Sequence, residues 1–157
     1  CQGERAGSTR PAGGRVVDTR SVFYHDTEWV MGWDVGADGF ELVLSGDLPQ
    51  VIESELRDDV AGFLDGHGLS IDEIDRWISH PGGPKVLAAL ETALGFEDGE
   101  IGSALRSLSE FGNRSSASVL SVLKDEIDVS GGAAEWGGPA VLMAMGPGFS
   151  AEFVLIE

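Results

Sequence analysis

The sequence has 157 residues, and ten Lys plus Arg against 27 Asp plus Glu give a formal net charge of -17 at pH 7. This length suits one domain around a single hydrophobic core, and the acidic charge argues against nucleic acid or an anionic membrane as a partner. No apolar run approaches the roughly 20 residues that cross a bilayer, no secretory signal is recognisable, and the only cysteine, Cys1, excludes an intrachain disulfide, so we expect a cytoplasmic protein.

Residues 1–14 are rich in Gly, Ser and Pro without periodicity, which predicts a flexible segment before a domain over residues 15–157. The domain opens with strand-like stretches at 15–24 and 29–35, where β-branched and aromatic residues are frequent. A third strand is indicated at 39–45 because apolar and polar residues alternate there.

A helix is predicted next, with Asp47 as a candidate N-cap and Pro49 in its first turn. Its apolar residues recur at helical spacing: Ile52, Leu56, Val60 and Phe63. We expect this helix to end near the glycines at 66–68. The residues "SIDE" at 70–73 match a capping box, so a brief helix should precede a strand at 75–80.

After a Pro-Gly-Gly-Pro turn, the pattern predicts one helix that stops at Gly95, another over 103–112 and a third that begins just after Asn113. Apolar strands at 139–145 and 151–157 should then form a hairpin around a tight turn. Strands that alternate with helices predict an α/β fold class, in which a layered sheet is covered by helices.

The three histidines have different surroundings. His25 lies in a polar loop and should be solvated, and His67 follows a helix whose C-terminal dipole it would complement. Neither stands at metal-ligand spacing with the other, and Cys1 is distant in sequence, so we expect no metal site. His80 ends a strand before the turn 81–84, whose small residues let a ligand or another backbone approach closely. From these residues alone His80 is either a catalytic group or a strand-end histidine bonded to backbone.

Asn113 begins a stretch of small residues at a helix start. Taken alone it is an ordinary N-cap, because Asn is among the best capping residues. Considered with His80 it suggests a sharper hypothesis: an imidazole and a carboxamide that both donate to one developing oxyanion. The glycines at 146 and 148 then form either another pocket wall or a simple hairpin turn.

Three stretches in this order, "WISHPGGPKVL", "SEFGNRSSASVL" and "AMGPGF", resemble the C-terminal half of the type III polyketide synthases, the chalcone and stilbene synthase superfamily. The resemblance runs from about Arg15 to the end and is greatest to bacterial members. It implies a thiolase-like fold, of which this chain would be the C-terminal half. In the family the nucleophilic Cys belongs to the N-terminal half, which this chain lacks.

The resemblance also implies a mechanism, the decarboxylative Claisen condensation of malonyl-CoA onto an acyl starter. His80 would hold the distant cysteine as a thiolate, because an ion pair with a charged imidazole lowers the pKa of a thiol. His80 and Asn113 would then bind the thioester oxygen of malonyl-CoA and stabilise the enolate. No metal or cofactor is implied, because CoA thioesters are the substrates, and we expect the full-length enzyme to be a homodimer.

Other substrate-binding positions follow from the resemblance and from the small turn beside His80. Ser115 matches a residue of the elongation cavity, Lys85 stands where the family places a CoA contact, and Leu42 replaces an aromatic gatekeeper. Ala144 and Met145 replace the usual Gly-Phe before the last glycine loop. With Leu42 at the gate, a long-chain acyl or malonyl starter is as plausible as a plant starter. The remaining candidates are glycines and a proline: Gly82, Gly83, Gly146, Pro147 and Gly148.

Two alternatives remain open. One is a condensing enzyme like ketoacyl synthase III, although such enzymes resemble "HQAN" rather than "HPGG" at the histidine. The other is a noncatalytic thiolase-like module that binds acyl groups or proteins. Because the chain has no internal cysteine, we expect these 157 residues alone to be inactive. We also expect an exposed apolar face where the missing half would pack.

Overall fold

The computed structural model describes residues 14–97, 99–131 and 136–157. The sheet has four strands, which we name in chain order: β1 (Val16–Phe23), β4 (Arg76–Ser79), β5 (Ala140–Gly146) and β6 (Ser150–Ile156). Their order across the sheet is β1-β6-β5-β4, and only the β4–β5 pair is parallel. Strands β2 (Met31–Gly36) and β3 (Gly39–Leu44) form a separate antiparallel hairpin.

The helices are α1 (Leu48–Asp65), α2 (Pro84–Leu94), α3 (Gly102–Phe111) and α4 (Ala117–Val129), with a single 3₁₀ turn over Ile71–Glu73. The apolar residues predicted for α1 are all buried, and α1 packs against α2. Arg57 of α1 donates to the carbonyl oxygens of Ala93 and Leu94, at 3.3 and 2.9 Å, and so caps the end of α2. The helices and the four-stranded sheet share one cluster of buried apolar residues.

Most predicted elements are present. Glycine and proline mark the limits of α2, because Pro84 opens it and Gly95 closes it at a φ of 73°. The capping-box residues also interact, since the Glu73 carboxylate accepts from the backbone N–H and the hydroxyl of Ser70, both at 2.8 Å. The α/β class is therefore confirmed. Cys1 and the flexible segment predicted for 1–14, except Gly14, lie outside the described residues.

The helix predicted directly after Asn113 begins later, at Ala117, with Ser116 at its N-cap position. Ser115 has a φ of 58°, which no helical residue adopts. The small residues of this stretch thus form a turn that leads into α4.

None of the helices in the described part of the chain is both long and apolar enough to span a lipid bilayer.

Candidate active site

His80 stands at the end of the sheet, immediately after β4. Its backbone N–H donates to the carbonyl oxygen of Met143 at 2.9 Å and so extends the pairing of β4 with β5. Its own carbonyl accepts from the N–H of Gly82 at 2.8 Å, which turns the chain at once. Trp77, Ile78 and Ser79 are buried just before it. A buried strand and a tight turn therefore fix the backbone that carries the imidazole.

The imidazole of His80 is half-buried, and this burial lowers its pKa below the ordinary value for histidine. The lowered pKa favours the neutral form of the ring. A neutral imidazole still has one N–H donor and one acceptor nitrogen. His80 can thus donate a hydrogen bond to a ligand oxygen without carrying charge.

Asn113 is joined to the His80 turn by a direct hydrogen bond. Its Nδ2 donates to the carbonyl oxygen of Gly82 at 2.9 Å, and its Oδ1 accepts from the N–H of Ser115 at 2.9 Å. These two contacts fix the orientation of the carboxamide, with the NH₂ group towards the His80 turn. The N-cap interpretation of Asn113 is wrong, because its side chain bonds across 31 residues and within a turn rather than to the first turn of α4.

Both side chains line one apolar cleft of about 580 Å³. Five more of the predicted site residues line the same cleft: Leu42, Gly82, Ser115, Gly146 and Pro147. A Cβ added to Gly82 would stand 3.4 Å from Val86 Cγ1 and 3.6 Å from His80 Cδ2. Glycine at this position therefore leaves open the space beside the imidazole, as the sequence suggested.

In the part of the chain that the structure describes, three of the predicted site residues do not line the cleft. Gly83 precedes α2 and accepts from the N–H of Leu87 at 3.0 Å. Lys85 is exposed on the first turn of α2. Gly148 donates its N–H to the carbonyl of Met31 at 2.8 Å. A role for these residues in binding CoA stays a prediction.

Six cleft residues were not singled out from the sequence: Met31, Trp33, Leu44, Leu48, Val86 and Ser116. The β2–β3 register places Trp33 directly opposite Leu42 and Met31 opposite Leu44. Side chains two residues apart lie on one face of a strand, so a single apolar face of the hairpin closes over the cleft. Trp33 thus places an aromatic ring at the cleft, directly opposite Leu42. The alternation of apolar with other residues along β2 and β3 was the sequence signal that could have identified this face.

The other histidines lie outside the cleft. His25 is exposed, as predicted, and its ring packs edge-on against Phe23 at 5.3 Å. His67 does follow α1, but its Nε2 also lies 3.0 Å from Asp18 Oδ2 of β1, a contact that the sequence did not indicate. Over residues 14–97, 99–131 and 136–157, no three His, Cys, Asp or Glu side chains are placed to hold a metal ion.

A comparison with known families adds the decisive observation. Residues 16–157 match the family model "Chalcone and stilbene synthases, C-terminal domain". The chain belongs to the chalcone and stilbene synthase family. The resemblance drawn from the three sequence motifs is therefore confirmed.

Similar members of the chalcone and stilbene synthase family include bacterial proteins. The chain is 50% identical over 143 residues to 1,3,6,8-tetrahydroxynaphthalene synthase of Streptomyces peucetius subsp. caesius, covering 90% of this chain and 37% of that protein. It is 38% identical to a putative chalcone synthase of Bacillus subtilis, covering 91% of this chain and 39% of that protein. The chain thus spans about two fifths of the length of these relatives.

Solved structures of type III polyketide synthases share the fold. The crystal structure of 1,3,6,8-tetrahydroxynaphthalene synthase from Streptomyces coelicolor A3(2) aligns with a TM-score of 0.83 at 31% identity, over 92% of this chain and 40% of that one. PKS-I from the brown alga Ectocarpus siliculosus aligns with a TM-score of 0.82 at 27% identity, over 98% and 42%. The predicted thiolase-like fold is confirmed by these alignments.

Proposed function

We propose that this chain is the condensing C-terminal domain of a type III polyketide synthase, an acyltransferase that extends an acyl starter with malonyl-CoA. The observation that carries the proposal is the hydrogen bond from Asn113 to Gly82, because it holds the carboxamide beside the turn of His80 at one apolar cleft. The family match favours this function over the ketoacyl synthase alternative.

The two side chains can perform the decarboxylation step without a metal. When malonyl-CoA loses carbon dioxide, the electron pair of the broken C–C bond becomes an enolate whose charge rests on the thioester oxygen. His80 donates one N–H to that oxygen. The Asn113 amide has two N–H groups, of which the Gly82 contact uses one, so the other can donate as well. Donors fixed in place before the reaction stabilise this charge without reorganisation.

The carbon–carbon bond requires a second group. The enolate carbon attacks the carbonyl of the starter acyl group, and the thiolate to which the starter is bound leaves. That thiolate would come from a Cys of the N-terminal half, because the only cysteine in these 157 residues is Cys1. The proposal therefore includes an N-terminal half as a partner. We also propose, as the sequence analysis expected, that the full-length enzyme is a cytoplasmic homodimer.

The cleft suits an extended acyl chain. Its walls are mainly apolar, from Met31, Trp33 and Leu42 on the hairpin to Val86 on α2. Burying such a chain stabilises the complex by about 0.8 kcal/mol per CH₂ group. A starter longer than acetyl would thus gain affinity here, which agrees with the long-chain alternative drawn from Leu42.

The test uses the full-length parent enzyme, malonyl-CoA and a panel of acyl-CoA starters. His80→Ala and Asn113→Ala should each slow decarboxylation by about 100- to 1000-fold, because each removes one donor to the enolate. The double variant should lose less than the product of the two single losses, since the donors act on one oxygen.

The matched control is His25→Ala, which removes an exposed histidine outside the cleft and should leave the rate unchanged. Release of carbon dioxide can be followed separately from product formation by mass spectrometry. Unchanged decarboxylation in both cleft variants would falsify the proposal.

A further inference from the structure

The turn that carries Gly146 and Pro147 forms one wall of the cleft, and its far end is bound to the β1–β2 connection. Three hydrogen bonds join this turn to residues between the end of β1 and the start of β2. Tyr24 N–H donates to the Phe149 carbonyl at 3.0 Å, and Gly148 N–H donates to the Met31 carbonyl at 2.8 Å. The third contact runs through a side chain, that of Thr27.

The Thr27 hydroxyl bridges the two segments. It accepts from the backbone N–H of Phe149 at 3.0 Å and donates to the carbonyl oxygen of Tyr24 at 2.6 Å. Thr27 is part-buried, so water does not freely replace it. One hydroxyl therefore satisfies two backbone groups, and its removal would leave both of them without this partner.

The β1–β2 connection is itself anchored to the body of the domain. The Tyr24 hydroxyl donates to Asp59 Oδ2 of α1 at 2.6 Å, and its ring stacks on Phe149 with 5.1 Å between centroids. Burial and the Asp59 carboxylate raise the pKa of Tyr24, so the phenol stays protonated. Phe149 is only 1% exposed. The wall turn is thus held against α1 through this connection.

We propose that Thr27 is a positioning residue that fixes the wall turn at 146–149 and thereby controls how the grown chain folds before it is released. The inference rests on the proposed function. It concerns a residue that does not line the cleft and does not touch the enolate donors. Its effect should therefore fall on the partition between cyclised and open-chain products rather than on decarboxylation.

The expected size of the effect follows from the lost contact. A typical hydrogen bond contributes about 0.5–1.5 kcal/mol, which corresponds to a roughly twofold to tenfold change in the population of the ordered turn. In the full-length enzyme, Thr27→Val should change the ratio of cyclised to open-chain product by that factor. Valine keeps the branched shape of threonine and has a methyl group in place of the hydroxyl. Thr27→Ser restores the hydroxyl and should return the ratio to the wild-type value.

The experiment measures three quantities for each variant: carbon dioxide release from malonyl-CoA, the product ratio by mass spectrometry, and hydrogen exchange at the Phe149 amide. Thr92→Val is the matched control, because the Thr92 hydroxyl also donates to a backbone carbonyl, that of Ala88 at 2.9 Å, on an exposed helix face. The proposal expects faster Phe149 exchange and an altered ratio in Thr27→Val, with the KM and kcat of decarboxylation unchanged.

Two results would overturn the inference. One is an unaltered product ratio in Thr27→Val, and the other is a parallel loss of decarboxylation and cyclisation, which would indicate a general loss of structure. A wild-type enzyme that releases no carbon dioxide would instead refute the proposed function and, with it, the inference. The two failures are thus distinguishable in one set of measurements.

Discussion

At the scale of single residues, His80 is subject to two opposing electrostatic effects. In the described chain burial favours the neutral imidazole and lowers its pKa. The proposed mechanism places a thiolate beside it, and a nearby negative charge favours the imidazolium and raises the pKa. The protonation state of His80 should therefore depend on the nucleophile of the other half.

This dependence predicts two different titrations. In the full-length enzyme with its nucleophilic Cys replaced by Ala, His80 should titrate below the ordinary histidine pKa. With the Cys present, the pKa of His80 should be higher. Histidine-selective NMR over a pH series measures both, and the exposed His25 is the internal control. Identical pKa values in the two proteins would contradict the thiolate–imidazolium pair.

Asn113 shows the limit of sequence analysis at this scale. Local sequence supports an N-cap, and the carboxamide became a candidate oxyanion donor only when Asn113 was considered together with His80. The deciding contact is with the carbonyl of Gly82, which no local pattern encodes. Trp33 was missed for a related reason. Its place over the cleft follows from its pairing with Leu42, and register between strands is fixed by the whole hairpin.

At the scale of elements, an ion pair joins β4, the strand before His80, to α4, the helix that follows Asn113. Arg76 Nη1 of β4 lies 2.9 Å from Glu126 Oε2 of α4, with side-chain exposures of 31% and 14%. The second oxygen of Glu126 accepts from Ser103 of α3. Because both flanks of the site meet in this network, it should stabilise their relative position.

We predict that Arg76→Met destabilises the fold by about 1–3 kcal/mol, because Glu126 is left part-buried without its cation. The double variant with Glu126→Met should recover part of this loss, with a coupling free energy of about 0.5–3 kcal/mol. Urea unfolding of the four proteins in the cycle measures both quantities.

The control is Arg15→Met. Arg15 pairs with Glu157 at 2.9 Å, with exposures of 72% and 50%, and such exposed pairs contribute at most about 1 kcal/mol. Equal effects of Arg76→Met and Arg15→Met would show that the β4–α4 pair is no more than a surface contact.

The elements themselves were largely predictable from the sequence. The limits of α1 and α2 follow from glycine, proline and helical spacing, because these signals act within a few residues. The start of α4 was not predicted, because Ser115 has a positive φ in a turn that is bonded to Asn113, and Asn113 is itself bonded to the distant Gly82. Where a contact spans tens of residues, periodicity carries no information about it.

At the scale of the whole molecule, the described chain exposes much apolar surface. The hairpin presents Trp33, Val35, Phe40, Leu42 and Leu44 on one face, each at least half exposed. Further large apolar side chains are exposed on α3 and α4: Leu105, Phe111, Leu120 and Val129. An exposed apolar face such as that of the hairpin is typical of an interface.

We therefore predict that the 157-residue chain alone self-associates at high concentration, as analytical ultracentrifugation would measure. Added salt should strengthen the association, because it screens the repulsion between chains of charge -17. Phe40→Lys, on the hairpin face, should weaken it. A clean monomer at high concentration with and without salt would contradict this prediction.

The order of strands across the sheet also governs how the domain can form during synthesis. β6 is the last strand in chain order, yet it lies between β1 and β5, and Val16 pairs with Ile156. At about 5–20 residues per second, a ribosome needs roughly ten seconds to add the residues that separate β1 from β6. Throughout that interval β1 has no partner in this sheet, while α1 and α2 can already pack. A nascent chain paused before β6 would therefore carry unpaired strands, which makes it a natural client for chaperones.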